Sequence, residues 1–368
     1  MKITNFELER FFAKFEFSAP HLLCCSDCET LSVAELLALG ENYNEELAGL
    51  RLGYTESAGH PALRDAVSDM YVRTTTEDVL VFSGAEEGIF VLMNALLERG
   101  DHLIVQFPAY QSLFEVARAI GCDFSRWTLE EERGWRPNLD LLKDSIRPET
   151  KLIVINFPHN PTGSLATQEE YEEIIGIARE REILLFSDEV YRLSEYSQAD
   201  RLDAMCDLYE HGISLGVMSK SLGLAGLRIG WLATRNRNVI NKCAAYKDYT
   251  TICNSAPSEL LATFALSRRE KILKRNLGII QSNLELLDRF FAEQEGRLEW
   301  VRPKAGPIAF PRLLAGSAEG FCLDLIENAG VLLLPSTKFE YGDSHFRIGF
   351  GRADMPACLG VLSDFLCR

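Results

Sequence analysis

Between positions 75 and 235, short runs of β-branched and apolar residues alternate with stretches of helical period. The runs are VLVFSG from 79, HLIVQFP from 102, LIVINFP from 152, ILLFSDEVY from 183, ISLGVMSK from 213 and LRIGWLA from 227. Such alternation predicts parallel strands joined by helical crossovers. The helices between them are legible as well. After Gly84, the residues Ile89, Phe90, Leu92, Met93, Leu96 and Leu97 share one broad face, and after Thr167 so do Tyr171, Ile174, Ile175 and Ala178. Thr167 followed three residues later by Glu170 reads as a capping box. From 258 to 295 apolar residues recur at three- and four-residue steps, which predicts one long helix bent near Gly278 and connecting two domains. Short strand-like pieces (LEWVRP, GPIAFPRL, VLLLPS, SHFRIGFG) then alternate with helices. The expected organisation is a large α/β domain over 46–270 and a smaller α+β domain formed by 1–45 and 271–368.

Composition narrows the classes. A chain of 368 residues buries a substantial core without disulfide or metal staples, and 47% hydrophobic with 25% charged residues excludes wholesale disorder. The 38 Lys and Arg against 54 Asp and Glu give a net charge of −16, which offers no broad basic surface to nucleic acid or to an anionic membrane. No stretch reaches the roughly 18 apolar residues of a membrane span, and the amino-terminal MKITNFELERFFAKFEF interrupts its apolar residues with charge too often for a secretory signal. Ten scattered cysteines fit reduced usage, so a cytoplasmic protein is expected.

In open α/β sheets ligands sit beyond the carboxyl ends of the strands, so the residues following each run carry the chemistry. The first run opens into Ser83-Gly84-Ala85-Glu86, a tight turn into a helix whose first N–H groups face any anion there. LIVINFP leads into His159-Asn160-Pro161-Thr162-Gly163. ILLFSDEVY sets Asp188, Glu189 and Tyr191 at a strand end, where an unpaired carboxylate is costly and calls for a cation. ISLGVMSK delivers Lys220, eight residues before Arg228. Each feature alone is also ordinary: a strand-to-helix turn, an Asn-Pro turn, a solvated lysine at a sheet edge. Together they match the needs of a phosphorylated pyridine aldehyde.

The segments NFPHNPTG, SDEVY and SKSLGLAGLRIGW stand in the order and at the separations of the class I/II aminotransferases, which the chain resembles from Tyr54 to Arg347. The resemblance implies the type I fold of pyridoxal 5'-phosphate (PLP) enzymes, with a mostly parallel central sheet flanked by helices. It also implies transfer of the α-amino group of an L-amino acid to a 2-oxo acid. Lys220 is similar to the lysine that forms the Schiff base and then carries the proton, and Asp188 to the carboxylate that keeps the pyridine nitrogen protonated. Asn160 and Tyr191 resemble the pair bonded to the ring's phenolic oxygen, and Tyr110 of FPAYQSLF the aromatic stacked on the ring. The phosphate would sit on Gly84, Ala85 and Glu86 with Ser219 and Arg228. Arg347 of FRIGFG, with Asn160, would take the substrate's α-carboxylate. Tyr54 of LRLGYTESAGHPALR matches a tyrosine that reaches the neighbouring subunit's phosphate, which implies a homodimer with shared sites.

Two positions depart from the family pattern. Val217 stands three residues before Lys220, where relatives carry a phosphate-binding hydroxyl, and Glu86 stands where Gln or Thr is common; its side chain is expected to turn away from the phosphate. Elimination, replacement or cyclisation on the same cofactor is an alternative outcome, because chemistry resides in the site and not in the scaffold. A PLP-binding transcriptional regulator is a further alternative, disfavoured by the acidic chain. His21, Cys24, Cys25 and Cys28 in HLLCCSDC have metal-like spacing but lack a second CxxC, so no metal is expected and the segment is read as shaping substrate specificity. Asp27 and Glu29 would favour a cationic side chain if they faced the site, a surface location being the other reading.

Overall fold

In a computed structural model, which describes residues 2–367, a seven-stranded sheet forms the centre. Its strands are β1 (Val79–Phe82), β2 (His102–Phe107), β3 (Asp123–Thr128), β4 (Thr150–Asn156), β5 (Leu184–Asp188), β6 (Gly212–Val217) and β7 (Gly230–Ala233). The spatial order is β1-β7-β6-β5-β4-β2-β3. Strands β2 to β6 run parallel, while β7 is antiparallel to both of its neighbours. The reason is connection length. A parallel return needs a crossover, usually a helix of a dozen or more residues, and the link from Val217 to Gly230 is spent on a loop and one short 3-10 turn. The apolar runs all become strands, and all residues of β1, β2, β6 and β7 are buried. β3 is additional to them. Its sequence DFSRWT is mostly exposed or half-buried, as an edge strand permits, so it lacks the apolar signature of its neighbours.

Helices cover both faces. In α2 (Ala85–Leu96) the buried residues include Ile89, Leu92 and Met93, and in α3 (Gln168–Glu180) they include Tyr171, Ile174, Ile175 and Ala178, as the periodicity predicts. The capping box at Thr167 forms: Glu170 N–H donates to Thr167 Oγ1 at 3.2 Å, and Thr167 N–H to Glu170 Oε2 at 2.8 Å. The long helix expected over 258–295 is two helices, α4 (Ala256–Ser267) and α5 (Arg269–Glu293), which break at Arg268. Ser267 Oγ contacts Tyr43 Oη at 2.5 Å and donates to the Phe264 carbonyl at 2.8 Å, drawing the end of α4 against Tyr43. Gly278 lies inside α5, which continues unbroken through it.

α5 belongs to two clusters of apolar side chains. Ile272 packs with Leu261, Phe264 and Leu266, whereas Ile280, Leu284, Leu287 and Phe290 pack with Leu325, Leu333, Ile348 and Leu362. In the second cluster, Phe346–Gly349 runs antiparallel between Ile308–Ala309 and Leu334–Pro335. Residues 2–45 are shared out. Leu23 and Cys28 join this second cluster, Leu36, Leu37 and Tyr43 join the one containing Ile272, and Leu8 and Phe11 of α1 (Glu7–Phe15) pack with Trp135, Phe310 and Phe339. No helix among the described residues is long and apolar enough to cross a membrane.

Candidate active site

The carboxyl ends of β5 and β6 and the start of α2 open on one cavity of about 370 Å³. The sheet ladder sets its base. Asn156 is in register with Asp188, and Asp188 with Leu215. Alternation along β5 and its extension then separates two adjacent acids. Asp188 lines the cavity, while Glu189 turns into the protein and accepts from Met205 N–H and Ser214 Oγ, both at 2.8 Å.

Asp188 is 6% exposed, and among the described residues its carboxylate accepts one hydrogen bond, from Val190 N–H at 3.2 Å. Burial pushes its carboxyl up to about 7, against which the Val190 N–H and the Lys220 ammonium pull only in part. Lys220, just past β6, donates from Nζ to Ser26 Oγ at 2.9 Å and lies 5.8 Å from the centre of the Tyr191 ring. Tyr191 is 1% exposed and its hydroxyl has no partner among the described residues. A buried phenol in that state has a place for an absent ligand atom. Asn160 is held from below: its N–H donates to Asn156 Oδ1 at 2.7 Å, and Asn156 Nδ2 donates to the Asp188 carbonyl at 2.8 Å. One amide side chain therefore ties the two strand-end turns together.

At the start of α2, Gly84 has φ +91°, and a Cβ there would stand 2.6 Å from Arg228 Nη2. Only glycine lets the guanidinium approach the helix start so closely. Arg228 donates to the Ala225 carbonyl at 3.2 Å and takes part in no ion pair among the described residues, leaving a cation beside free N–H groups. Ala85, Ser219 and Val217 line the same end. Val217 puts methyl groups where a hydroxyl is usual.

Arg347, on Phe346–Gly349, is 2% exposed, a charge buried without a carboxylate. Nε and Nη2 donate to the Cys24 carbonyl at 3.2 and 2.8 Å, and Nη1 donates to Asn160 Oδ1 at 3.1 Å. The rings of Phe12 and Phe339 lie 5.8 and 5.7 Å from its guanidinium carbon. The residue after that carbonyl packs on Gly349, where a Cβ would collide with the backbone of Cys25. Gly349→Ala is therefore expected to destabilise the fold by about 1–3 kcal/mol and to displace the Cys24–Cys25 segment. Thermal unfolding together with the KM for substrate checks this, since a merely structural effect would lower stability and leave KM alone.

The structure thus brings Ala85, Glu86, Tyr110, Asn160, Asp188, Tyr191, Ser219, Lys220, Arg228 and Arg347 to one cavity, with Gly84 behind them. It does not bring Tyr54. That side chain is 95% exposed and outside the cavity of its own chain. Glu86 borders the cavity, and burial with the nearby Glu9 and Asp188 charges raises its carboxyl to about 7. Asp27 and Glu29 are both occupied. Arg352 donates to Asp27 Oδ1 and Oδ2 at 3.1 and 2.9 Å, and Ala353 N–H donates to Glu29 Oε2 at 2.7 Å. The cysteines of the amino-terminal segment diverge: Cys25 faces the cavity while Cys24 and Cys28 are buried in different apolar clusters. No three His, Cys, Asp or Glu side chains among the described residues converge for a metal.

Several cavity residues escaped the sequence reading. Leu8, Glu9, Phe12 and Glu16 come from α1 and the residue capping it, and Ser26 meets Lys220. The signal was the amphipathic spacing of Leu8, Phe11, Phe12 and Phe15. That spacing marks a helix that packs on something, without saying on what.

The residues fit PLP. The orphaned Tyr191 hydroxyl suits its phenolic oxygen, the buried Asp188 carboxyl its ring nitrogen, and the Gly84–Arg228 cradle its phosphate. Comparison with known proteins agrees. The model of the family "Aminotransferase class I and II" matches residues 23–357. A PLP-dependent aminotransferase from Streptococcus suis 89-1591 superposes with a TM-score of 0.94 at 34% identity, covering 100% of this chain and 99% of that one. The PLP-dependent cyclase OrfR gives 0.90 at 28% identity, covering 100% and 98%. In sequence, capreomycidine synthase of Streptomyces vinaceus is 28% identical over 98% of this chain and 93% of its own. An aspartate aminotransferase of Pyrococcus horikoshii is 30% identical over 81% and 78%. The fold is that of the type I PLP enzymes, and the chain belongs to the class I and II aminotransferases, with pyridoxal 5'-phosphate as its cofactor.

Proposed function

We propose that the chain transfers the α-amino group of an L-amino acid to a 2-oxo acid at the Lys220 cavity. The observation carrying this reading is the convergence of Lys220 Nζ, the buried Asp188 carboxyl and the unpartnered Tyr191 hydroxyl on one enclosed space. When bound, PLP supplies an aldehyde for amine exchange and a ring that withdraws electrons from the substrate's Cα. The chain's own groups do the rest. Lys220 Nζ would hold the cofactor's aldehyde carbon and, once the substrate amine has taken that place, would serve as the base for the proton on the substrate's Cα. Asp188 would keep the ring nitrogen protonated, Tyr191 and Asn160 would hold the phenolic oxygen, and Tyr110 would offer its ring face to the cofactor. Arg228, Ser219 and the N–H groups of Ala85 and Glu86 hold the phosphate. Arg347 grips the α-carboxylate, which sets the Cα–H bond in line for removal.

In this reading the active species is a cytoplasmic homodimer of two-lobed subunits, divided at 45 and 270. All ten cysteines are free thiols. Leu52, Tyr54, Tyr249 and Ile252 are large and exposed on two segments that Thr55 ties together by donating to the Asn254 carbonyl at 3.2 Å. A second copy laid on that surface would bring Tyr54 to the opposite site.

Cyclisation or elimination is a second reading, favoured by the coverage of 98% and 93% with capreomycidine synthase, wider than with the aspartate aminotransferase. One measurement separates the two. Protein mixed with an amino acid and no 2-oxo acid is expected to convert its cofactor to the amine form, read as loss of the aldehyde-derived absorbance. Retention of that absorbance during product formation would assign the second reading.

A further inference from the structure

The charges lining the cavity do not balance. Its cations are Lys220, Arg228 and Arg347, and its carboxylates are Glu9, Glu16, Asp27, Glu86 and Asp188. Asp27 is matched by Arg352. In the proposed reaction Lys220, Arg228 and Asp188 serve the cofactor and Arg347 serves the α-carboxylate. No cation is left for the acids of α1. Glu9 accepts only the Tyr110 hydroxyl, at 3.0 Å, and neither Glu9 nor Glu16 joins an ion pair among the described residues.

The two acids are positioned where a substrate side chain would lie. They occupy one face of α1 and its cap together with Leu8 and Phe12, and Phe12 stacks over the arginine that would hold the α-carboxylate. That the cavity takes a ligand rests on separate grounds, the unpartnered hydroxyl of the 1% exposed Tyr191 in its wall. An anionic side chain would find two carboxylates and no spare cation. A cationic one would find partners for its charge and, on Leu8 and Phe12, apolar surface for its methylene stem. Burial holds the Glu16 carboxyl above its ordinary range, with the Arg352 and Arg347 charges pulling against it only in part and those of Asp27 and Glu9 adding to it, a penalty that an incoming cation eases.

We infer that Glu9 and Glu16 determine specificity and that the amino-acid substrate carries an ammonium or guanidinium group on its side chain. This rests on the proposed reaction and adds its substrate class. The test uses the cofactor-loaded protein with arginine and lysine against their neutral counterparts citrulline and norleucine, and against glutamate. The expected kcat/KM is at least tenfold higher for a cationic substrate than for its neutral counterpart, and lowest for glutamate. Glu9→Gln and Glu16→Gln are each expected to bring that ratio toward one. A chemistry-free measurement needs no variant. Calorimetry should find 5-guanidinopentanoate, arginine without its α-amine, bound at least tenfold more tightly than neutral 5-ureidopentanoate. Equal binding and an equal or reversed kcat/KM ratio overturn the inference, while cofactor conversion by neutral or acidic amino acids leaves the reaction class standing. If no amino acid changes the cofactor's absorbance, the reaction class itself falls.

Discussion

Lys220→Ala is expected to lower turnover at least about a thousandfold, because it removes both the amine that binds the cofactor covalently and the base that moves the proton. The protein should still fold. The side chain is half-buried and makes one hydrogen bond, to Ser26, so no cavity or stranded charge is left in the core. It should also still take up PLP, through Arg228, the start of α2 and Asp188. The two measurements are turnover and the absorbance of the resting protein. The variant's spectrum should become that of a free aldehyde, and primary amines added to solution should restore part of the rate. Undiminished turnover with an unchanged spectrum would refute the assignment of Lys220 and the reading built on it.

Asp188→Asn is expected to cost at least about a hundredfold in kcat, the magnitude lost when one preorganised charge is removed from a developing transition state. Asparagine is neutral and cannot keep the ring nitrogen protonated. The same change should act in the opposite direction on the cofactor-free fold. The native carboxyl sits at about 7, above its ordinary 3.8. A raised acid stabilises the fold below its unfolded value, and that contribution is lost as pH climbs toward the folded value. At about 1.4 kcal/mol for each pH unit, the ionised carboxyl costs roughly 4 kcal/mol at neutral pH. Cofactor-free Asp188→Asn should therefore melt higher than the unmodified protein at pH 7, and the gap should close near pH 4. With PLP bound the order should reverse, since the cationic ring compensates the carboxylate. Equal melting temperatures at both pH values would show that Asp188 carries no such strain.

Much of this site is legible in the chain because its chemistry follows continuous apolar runs. Asp188 closes a strand, Asn160, Lys220 and Glu86 each stand a few residues beyond one, and strand ends of an α/β sheet face one side. The antiparallel turn of β7 and the break at Arg268 are less legible. The first depends on how the 218–229 link is spent, the second on a contact with Tyr43, 224 positions away. Glu9 and Glu16 are harder still. A helix far away in sequence becomes a cavity wall only through packing of Leu8 and Phe11 on Trp135, Phe310 and Phe339, and no local pattern encodes those partners. Asp27 and Glu29 illustrate the converse: Asp27 reaches the cavity wall, yet Arg352 claims it, and the Ala353 N–H claims Glu29.

Asp188 and Asn156 are matched residues of adjoining strands, and Lys220 follows the next strand of the same ladder. The spacing of nucleophile and counter-charge is thus fixed by peptide-to-peptide bonding, whose repeat is the same whatever side chains surround it. Remodelling of the apolar interior during divergence would alter how firmly the molecule holds together long before it detuned the reacting groups. One frame can therefore be inherited by enzymes of different substrate preference, with the variation confined to segments such as the amino-terminal helix that lean over it from outside.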